Sequence, residues 1–252
     1  MEFETEYNTS LISVSRDSYH GSNPEYFSPK WKVETDGSLK STKFSSSDTA
    51  EFITTRPFLR RDLHNVVDAL RTEANRRALD TYEFSEIFCP NYSCGHHLHF
   101  SYNGIRLLEK STINLYPLIR AEFFKNLKRY SPRLHETIKK QYFRHYAKKI
   151  RGDNCYQSRC SEFNLTNDNC GLEWRSFNVN GVQTWKEYED VVGIALDSLI
   201  KVLSEFLNGR KFFRFRNVSL TISEETDKII MEFDINITER PVKEEVEINV
   251  QY

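Results

Sequence analysis

Residues 94–101 read CGHHLHFS, and three of the seven histidines in the chain fall within four positions there. In a strand, side chains at i and i+2 share a face, so His97 and His99 point one way and His96 and Leu98 the other. Two imidazoles on one face can bind a metal ion or meet a phosphate. Two further stretches repeat the arrangement with charged groups: Glu4 and Glu6 in FETEY, and Glu173 and Arg175 in LEWRSF. Carboxylates are the hard oxygen donors that Mg²⁺ prefers, and a guanidinium stabilises charge developing on a transferring phosphoryl group. Taken singly, each pair is also what the outward face of a half-exposed strand carries. Cys89 and Cys94 give the histidines another reading, a zinc site made with His97 and His99. The spacing C-x4-C-x2-H-x-H does not match a common structural zinc pattern.

The elements that must position these residues read as a mixture of short strands and three to four helices. MEFETEY alternates as a strand, with Phe3 on the face opposite Glu4 and Glu6. Residues 8–30 read as a loop, WKVETDGSLK as a strand entering a turn at Asp36-Gly37, and the serine-rich stretch at 40–48 as a second loop. AEFITTRPF resumes a strand that Pro57 ends. From Asp62 to Leu79, Leu63, Val66, Val67 and Leu70 recur at helical spacing with Asp62 as N-cap. YPLIRAEFFKNLKRY and RLHETIKKQYFRHYAKKI form two helices broken near Ser131-Pro132, and the run beginning at Trp185 and closed by Gly209 is the clearest helix. His64, His135 and His145 lie within helical patterns, as surface or capping residues. After residue 210, KFFRFRNVSLTI, KIIMEFDINIT and EEVEINV suggest three antiparallel strands.

Composition narrows the function classes. With 252 residues the chain can bury a substantial core. A formal net charge of −1 lacks the basic surplus of a general nucleic-acid binder. No apolar run reaches the roughly 20 residues of a membrane span, and MEFETEYNTS has acids where a signal peptide has bases. The five cysteines are an odd number, so reduced thiols and a cytoplasmic location are expected. There is no G-x-x-x-x-G-K-[ST] and no G-x-G-x-x-G, which sets aside P-loop and Rossmann nucleotide sites.

Taken in order, FETEY, WKVETDGSL, AEFITTRPF, CGHHLHFS, SRCSEFN and LEWRSF resemble the motif series of the amidoligase family, a branch of the glutamine synthetase-like carboxylate–amine ligases. The family pattern is approximately E-x-E, W-x-x-x-x-D-G-S-L, E-[IFL]-x-[ST]-P, C-G-x-H-x-H, R-x-x-x-x-N and E-x-R-x-F. The resemblance runs from residue 2 to about 178. Thr55 and Arg56 intervene before Pro57, and no tyrosine follows Arg159. His96 falls at the variable position and inherits no role. The resemblance implies an α+β fold: a curved antiparallel sheet with flanking helices, like the catalytic domain of glutamine synthetases, over residues 1–209. Residues 210–252 would be a C-terminal three-stranded β extension packed on it.

The implied reaction is ATP- and Mg²⁺-dependent: ATP activates a carboxylate as an acyl phosphate, and an amine attacks to form an amide or peptide-like bond. The implied substrates are an amino-acid, peptide or cell-wall-like acid and an amine, with no nucleic acid and no membrane. Glu4, Glu6, Glu51, His97 and Glu173 would hold metal, and His99 would contact the nucleotide phosphates or their metal. Arg175 and Arg159 would face the γ-phosphoryl group, and Asp36 would orient or deprotonate the amine. Two alternatives stand beside this reading: an inactive member of the same fold that serves as a binding protein, and a zinc-stabilised binding module.

Overall fold

A computed structural model describes residues 1–14, 25–44, 47–100, 105–107, 116–142, 163–165, 172–175, 177–207, 213–223 and 228–237. The strands are β1 (Glu2–Asn8), β2 (Glu25–Ser28), β3 (Trp31–Glu34), β4 (Ser47–Thr54), β5 (Phe88–Cys89), β6 (His96–Phe100), β7 (Ile105–Leu107), β8 (Phe163–Leu165), β9 (Leu172–Trp174), β10 (Phe213–Ser223) and β11 (Lys228–Ile237). The helices are α1 (Leu63–Ala78), α2 (Phe84–Ile87), α3 (Tyr116–Tyr130), α4 (Pro132–Lys140) and α5 (Trp185–Leu207). Seven strands form an antiparallel sheet in the order β2-β3-β4-β1-β6-β9-β8, so β1 lies at its centre. One edge of β1 pairs with β4 along its whole length. The other edge is shared: β6 takes Glu2 and Phe3, while β5 takes Glu6 and Tyr7.

The alternation in β1 decides which face meets the helices. Phe3 sits among the rings of Phe52, Phe84, Phe88 and Tyr188. Val33, Phe52, Leu98 and Trp174 extend this apolar face across the sheet. The helices cover it with the stripes their spacing predicts: Leu63, Val66, Val67, Leu70 and Ala74 from α1, and Ile119, Phe123 and Leu127 from α3. Each fully buried large apolar side chain of this kind contributes roughly 1.5–3 kcal/mol. All three tryptophans satisfy their indole N–H on burial, Trp31 donating to the Val66 carbonyl at 2.9 Å, Trp174 to Tyr142 Oη at 2.8 Å and Trp185 to the Tyr82 carbonyl at 2.9 Å. Trp31 thereby locks β3 to α1. Ser131 caps α4, its hydroxyl accepting from Leu134 N at 3.3 Å, and Pro132 opens that helix.

The expected helices and the strands at 2–8, 31–34 and 96–100 are present. Four points differ. The stretch 8–30 contains β2, a four-residue strand too short to show periodicity, folded onto β3. α4 ends at Lys140 with Gln141 as its C-cap, short of the expected run, and His135 within it is buried beside Phe124 rather than on the surface. After residue 210, β10 and β11 pair antiparallel as expected. Their third neighbour is β7, parallel to β11 and drawn from the first 209 residues, whereas EEVEINV lies outside the described residues. Among the described residues, no helix is long and apolar enough to cross a membrane.

Candidate metal and phosphate site

The face of the sheet turned away from the helices carries charge. Glu34, Glu51 and Glu4 lie directly opposite one another in a row across β3, β4 and β1. On the other side of β1, Glu2 is opposite His97, and on the next pair of strands His99 is opposite Glu173. The period of two on each strand thus delivers seven acids and imidazoles to one surface. Glu4, Glu34, Glu51, His97 and Glu173 are buried there, and His99 stands at the exposed edge.

His97 is the centre of the arrangement. Its Nδ1 lies 2.9 Å from Glu2 Oε2 and 3.3 Å from Glu173 Oε1, and its Nε2 lies 3.5 Å from Glu4 Oε1. His99 Nε2 lies 3.2 Å from Glu2 Oε1. Two sets of ligand atoms result, Glu2–His97–His99–Glu173 and Glu4–Glu51–His97, the atoms within each set lying within 4.8 Å of one another. Arg175 closes one flank, its Nη1 3.1 Å from Glu173 Oε1.

Gly95 is what allows His97 to sit here. It occupies the gap between β5 and β6 along β1, where its carbonyl accepts from Glu4 N at 3.0 Å and its own N–H donates to the Glu4 carboxylate. A Cβ at this position would meet His97 Nε2 at 2.6 Å and Glu4 Oε2 at 2.9 Å. The glycine of CGHHLHFS is therefore required by close approach of the two ligands.

The electrostatics report crowding of like charge. Burial, followed by the neighbouring charges of Glu2, Glu4 and Asp36, pushes the Glu51 carboxyl up to about 10. Burial works against the imidazolium of His97, yet the carboxylates of Glu4, Glu2 and Glu173 outweigh it and raise its pKa above the ordinary value. For Glu2, burial is outweighed by the hydrogen bonds and charges of His97 and His99, which hold its carboxyl far below the usual range. Buried carboxylates facing one another need protons or a cation between them.

Of the residues expected from sequence, Glu4, Glu51, His97, His99 and Glu173 converge, with Arg175 against them. Asp36 follows β3 closely enough for its charge to act on Glu51. Arg159 lies outside the described residues. Glu6 enters neither ligand set; its oxygens accept from the backbone of Thr42, Lys43 and Phe44 and from Asn91. Glu2 was missed, although the same period of two that joins Glu4 to Glu6 includes it. Glu34 was missed as well, and its signal is the Lys32/Glu34 pair at i, i+2, joined at 2.6 Å.

His96 points to the opposite face, where it is fully buried, 3.0 Å from Tyr188 Oη and packed on Phe177. Neither Cys89 nor Cys94 joins a ligand set. Burial pushes the Cys94 thiol up to about 11. Comparison of the chain with protein-family models, curated proteins and solved structures gives no match.

Proposed function

We propose that the chain is an ATP- and Mg²⁺-dependent carboxylate–amine ligase on a curved, glutamine synthetase-like sheet, acting through an acyl-phosphate intermediate. The observation that carries this reading is the sharing of His97 between two sets of carboxylate ligands on one sheet face. The donor set fits Mg²⁺: carboxylate oxygens from Glu2, Glu4, Glu51 and Glu173 around the central imidazole of His97, with His99 at the exposed edge and no thiolate. The upward push on Glu51 fits too, because carboxylates this crowded favour a cation in place of a proton. Mg²⁺ held by these residues would neutralise phosphate oxygens during phosphoryl transfer.

The chain's own groups divide the remaining work. His99, at the exposed edge, is the imidazole available to phosphate. Arg175 brings a positive charge against the ligand sets, held beside them by Glu173. It would stabilise charge on the transferring group, with Arg159 as its expected partner. Asp36 would orient the amine at the Glu51 end by accepting hydrogen bonds from its N–H groups. The substrate acid is an amino acid, a peptide or a cell-wall-like carboxylate.

Thermal unfolding of the metal-stripped protein tests the reading, with ATP alone, Mg²⁺ alone, both together, and Zn²⁺ alone. A ligand at about 100 times its dissociation constant stabilises by about 2.7 kcal/mol. A shift that requires ATP and Mg²⁺ together is expected, and ADP release dependent on an added acid would then establish turnover. Nucleotide binding with no turnover on any acid would make the chain a binding protein of the same fold, and a shift with Zn²⁺ alone would end the ligase reading.

A further inference from the structure

Glu6 has the residue type, strand and face of a metal ligand, yet its carboxylate is spent elsewhere. Oε1 accepts from Lys43 N at 2.8 Å and from Phe44 N at 3.0 Å. Oε2 accepts from Thr42 N at 2.8 Å, from the Thr42 hydroxyl at 3.3 Å and from Asn91 Nδ2 at 3.1 Å. Three successive backbone N–H groups and a side-chain amide thus converge on one anion. The donors outweigh burial and hold the Glu6 carboxyl down at about 2. Glu6 is closed to solvent by this layer of backbone rather than by depth in the core.

The segment that Glu6 grips runs from Asp36 to Phe44, and other contacts tie it to the loop leading into β6. Lys40 N donates to Ser93 Oγ at 3.0 Å, and Asn91 Nδ2 also donates to the Lys40 carbonyl at 2.6 Å. Asn91 Oδ1 in turn accepts from Ser93 N at 2.9 Å, immediately before Cys94-Gly95. At its start the segment leaves β3 two residues after Glu34, whose register partner is Glu51. Asp36 Oδ1 accepts there from Ser38 N at 2.8 Å, and Leu39 is buried.

We propose that Glu6 is the anchor of a strap, residues 36–44, which it fastens over its end of β1, and that it serves by positioning this strap and Asp36 rather than by binding a cation. The anchoring stands on these hydrogen bonds alone; only the use of Asp36 rests on the ligase reading. One carboxylate with two oxygens is needed, because a glutamine offers a single acceptor and turns an N–H₂ toward donors that already face it.

The test combines amide hydrogen exchange with titration by Mn²⁺, which suits the same oxygen-rich sites as Mg²⁺. Glu6→Gln should raise exchange across residues 36–44 by about tenfold or more while α5 keeps its protection, showing a local release. Its Mn²⁺ dissociation constant should stay within about twofold of the parent, well short of the 10- to 100-fold loss that removing a metal's partner brings. Glu6→Asp, which keeps both oxygens, should restore part of the protection. Lys43→Pro removes one donor from the strap side and leaves the sheet untouched, so it should free the strap even where Glu6→Gln fails to fold. Unchanged strap exchange in Lys43→Pro, or a loss of Mn²⁺ affinity in Glu6→Gln equal to that of Glu4→Gln, overturns the proposal. If the parent binds no Mn²⁺ the ligase reading falls, and the exchange arm alone decides the anchor.

Discussion

The two ends of β1 carry the same residue on the same face and put it to opposite uses. At one end Glu4 lies opposite Glu51, with Glu34 beyond it and His97 beside it. At the other, Glu6 meets N–H donors from residues 42–44 and Asn91. The carboxyls respond in kind, Glu51 raised to about 10 and Glu6 lowered to about 2. The strand sets the direction of a side chain; what crosses over the strand sets its chemistry. A row of acids that crowd one another can be relieved by a cation, whereas an acid met by successive amides is already satisfied.

Several changes would sharpen or break this contrast. The largest effect is expected for Glu4→Gln and for Glu173→Gln, each replacing a charged ligand oxygen by a neutral amide. Mg²⁺ or Mn²⁺ affinity should fall by about 100-fold, the upper end of what loss of even an indirect partner costs. Calorimetric titration would show it, and equal loss in His96→Ala would mean that the strand register is wrong.

Next in size, Glu6→Gln should leave metal affinity alone and instead lower the unfolding free energy by about 2 kcal/mol, as expected for weakening charge-assisted hydrogen bonds. Denaturant melts would measure this. A parent-like midpoint would remove the distinction between the two ends.

A third effect follows from the raised groups. Glu51 keeps its proton in the folded chain from its ordinary value of 4.5 up to about 10, while the unfolded chain has released it. The folded state then binds more protons, so stability falls as pH rises through this window, by up to about 1.4 kcal/mol per unit for one proton. His97, raised above its ordinary 6.5, acts in the same sense on the alkaline side. Glu6, lowered from 4.5 to about 2, works oppositely: its contribution is present above 4.5 and is lost as pH falls toward 2. Melts of the metal-stripped protein between pH 7 and 10 should therefore slope downward, and saturating Mg²⁺ should flatten the slope by replacing protons. A flat profile without metal would mean that the acids are not crowded.

The smallest effect is expected for Glu34→Gln. Glu34 shares the row with Glu51 but belongs to neither ligand set, and Lys32 already faces it at 2.6 Å. Metal affinity should change by less than about threefold, half a kcal/mol or so; a loss like that of Glu4→Gln would extend the site to β3.

Much of the site was legible because alternation is local. Glu4, His97, His99 and Glu173 declare their faces through neighbours two residues away, and the helical stripe from Leu63 to Ala74 declares its buried side the same way. Strand order is not local. Nothing in FETEY says that β5 and β6 divide one edge of β1, and that division separates Glu6 from the ligands. The grip on Glu6 is likewise invisible, since it is made by backbone N–H groups that every residue but proline carries. β2 escaped because four residues hold too little alternation to read.

The central position of β1 has a consequence for how the chain matures. During synthesis, β1 emerges before the strands that flank it on either side, and its partner β4 follows within some fifty residues, soon enough for an early antiparallel pairing. Its other edge waits for residues 88 and 89 and then 96 and 97; the Glu4–Glu51–His97 set can assemble with the latter, while the Glu2–His97–His99–Glu173 set waits longer still, for Glu173. Until His97 is in place, Glu2 and Glu4 lie on an unfinished sheet outside any ligand set. A chain cut short of residue 96 therefore has no ligand set with which a metal could rescue its folding, and both sets together exist only on the finished sheet.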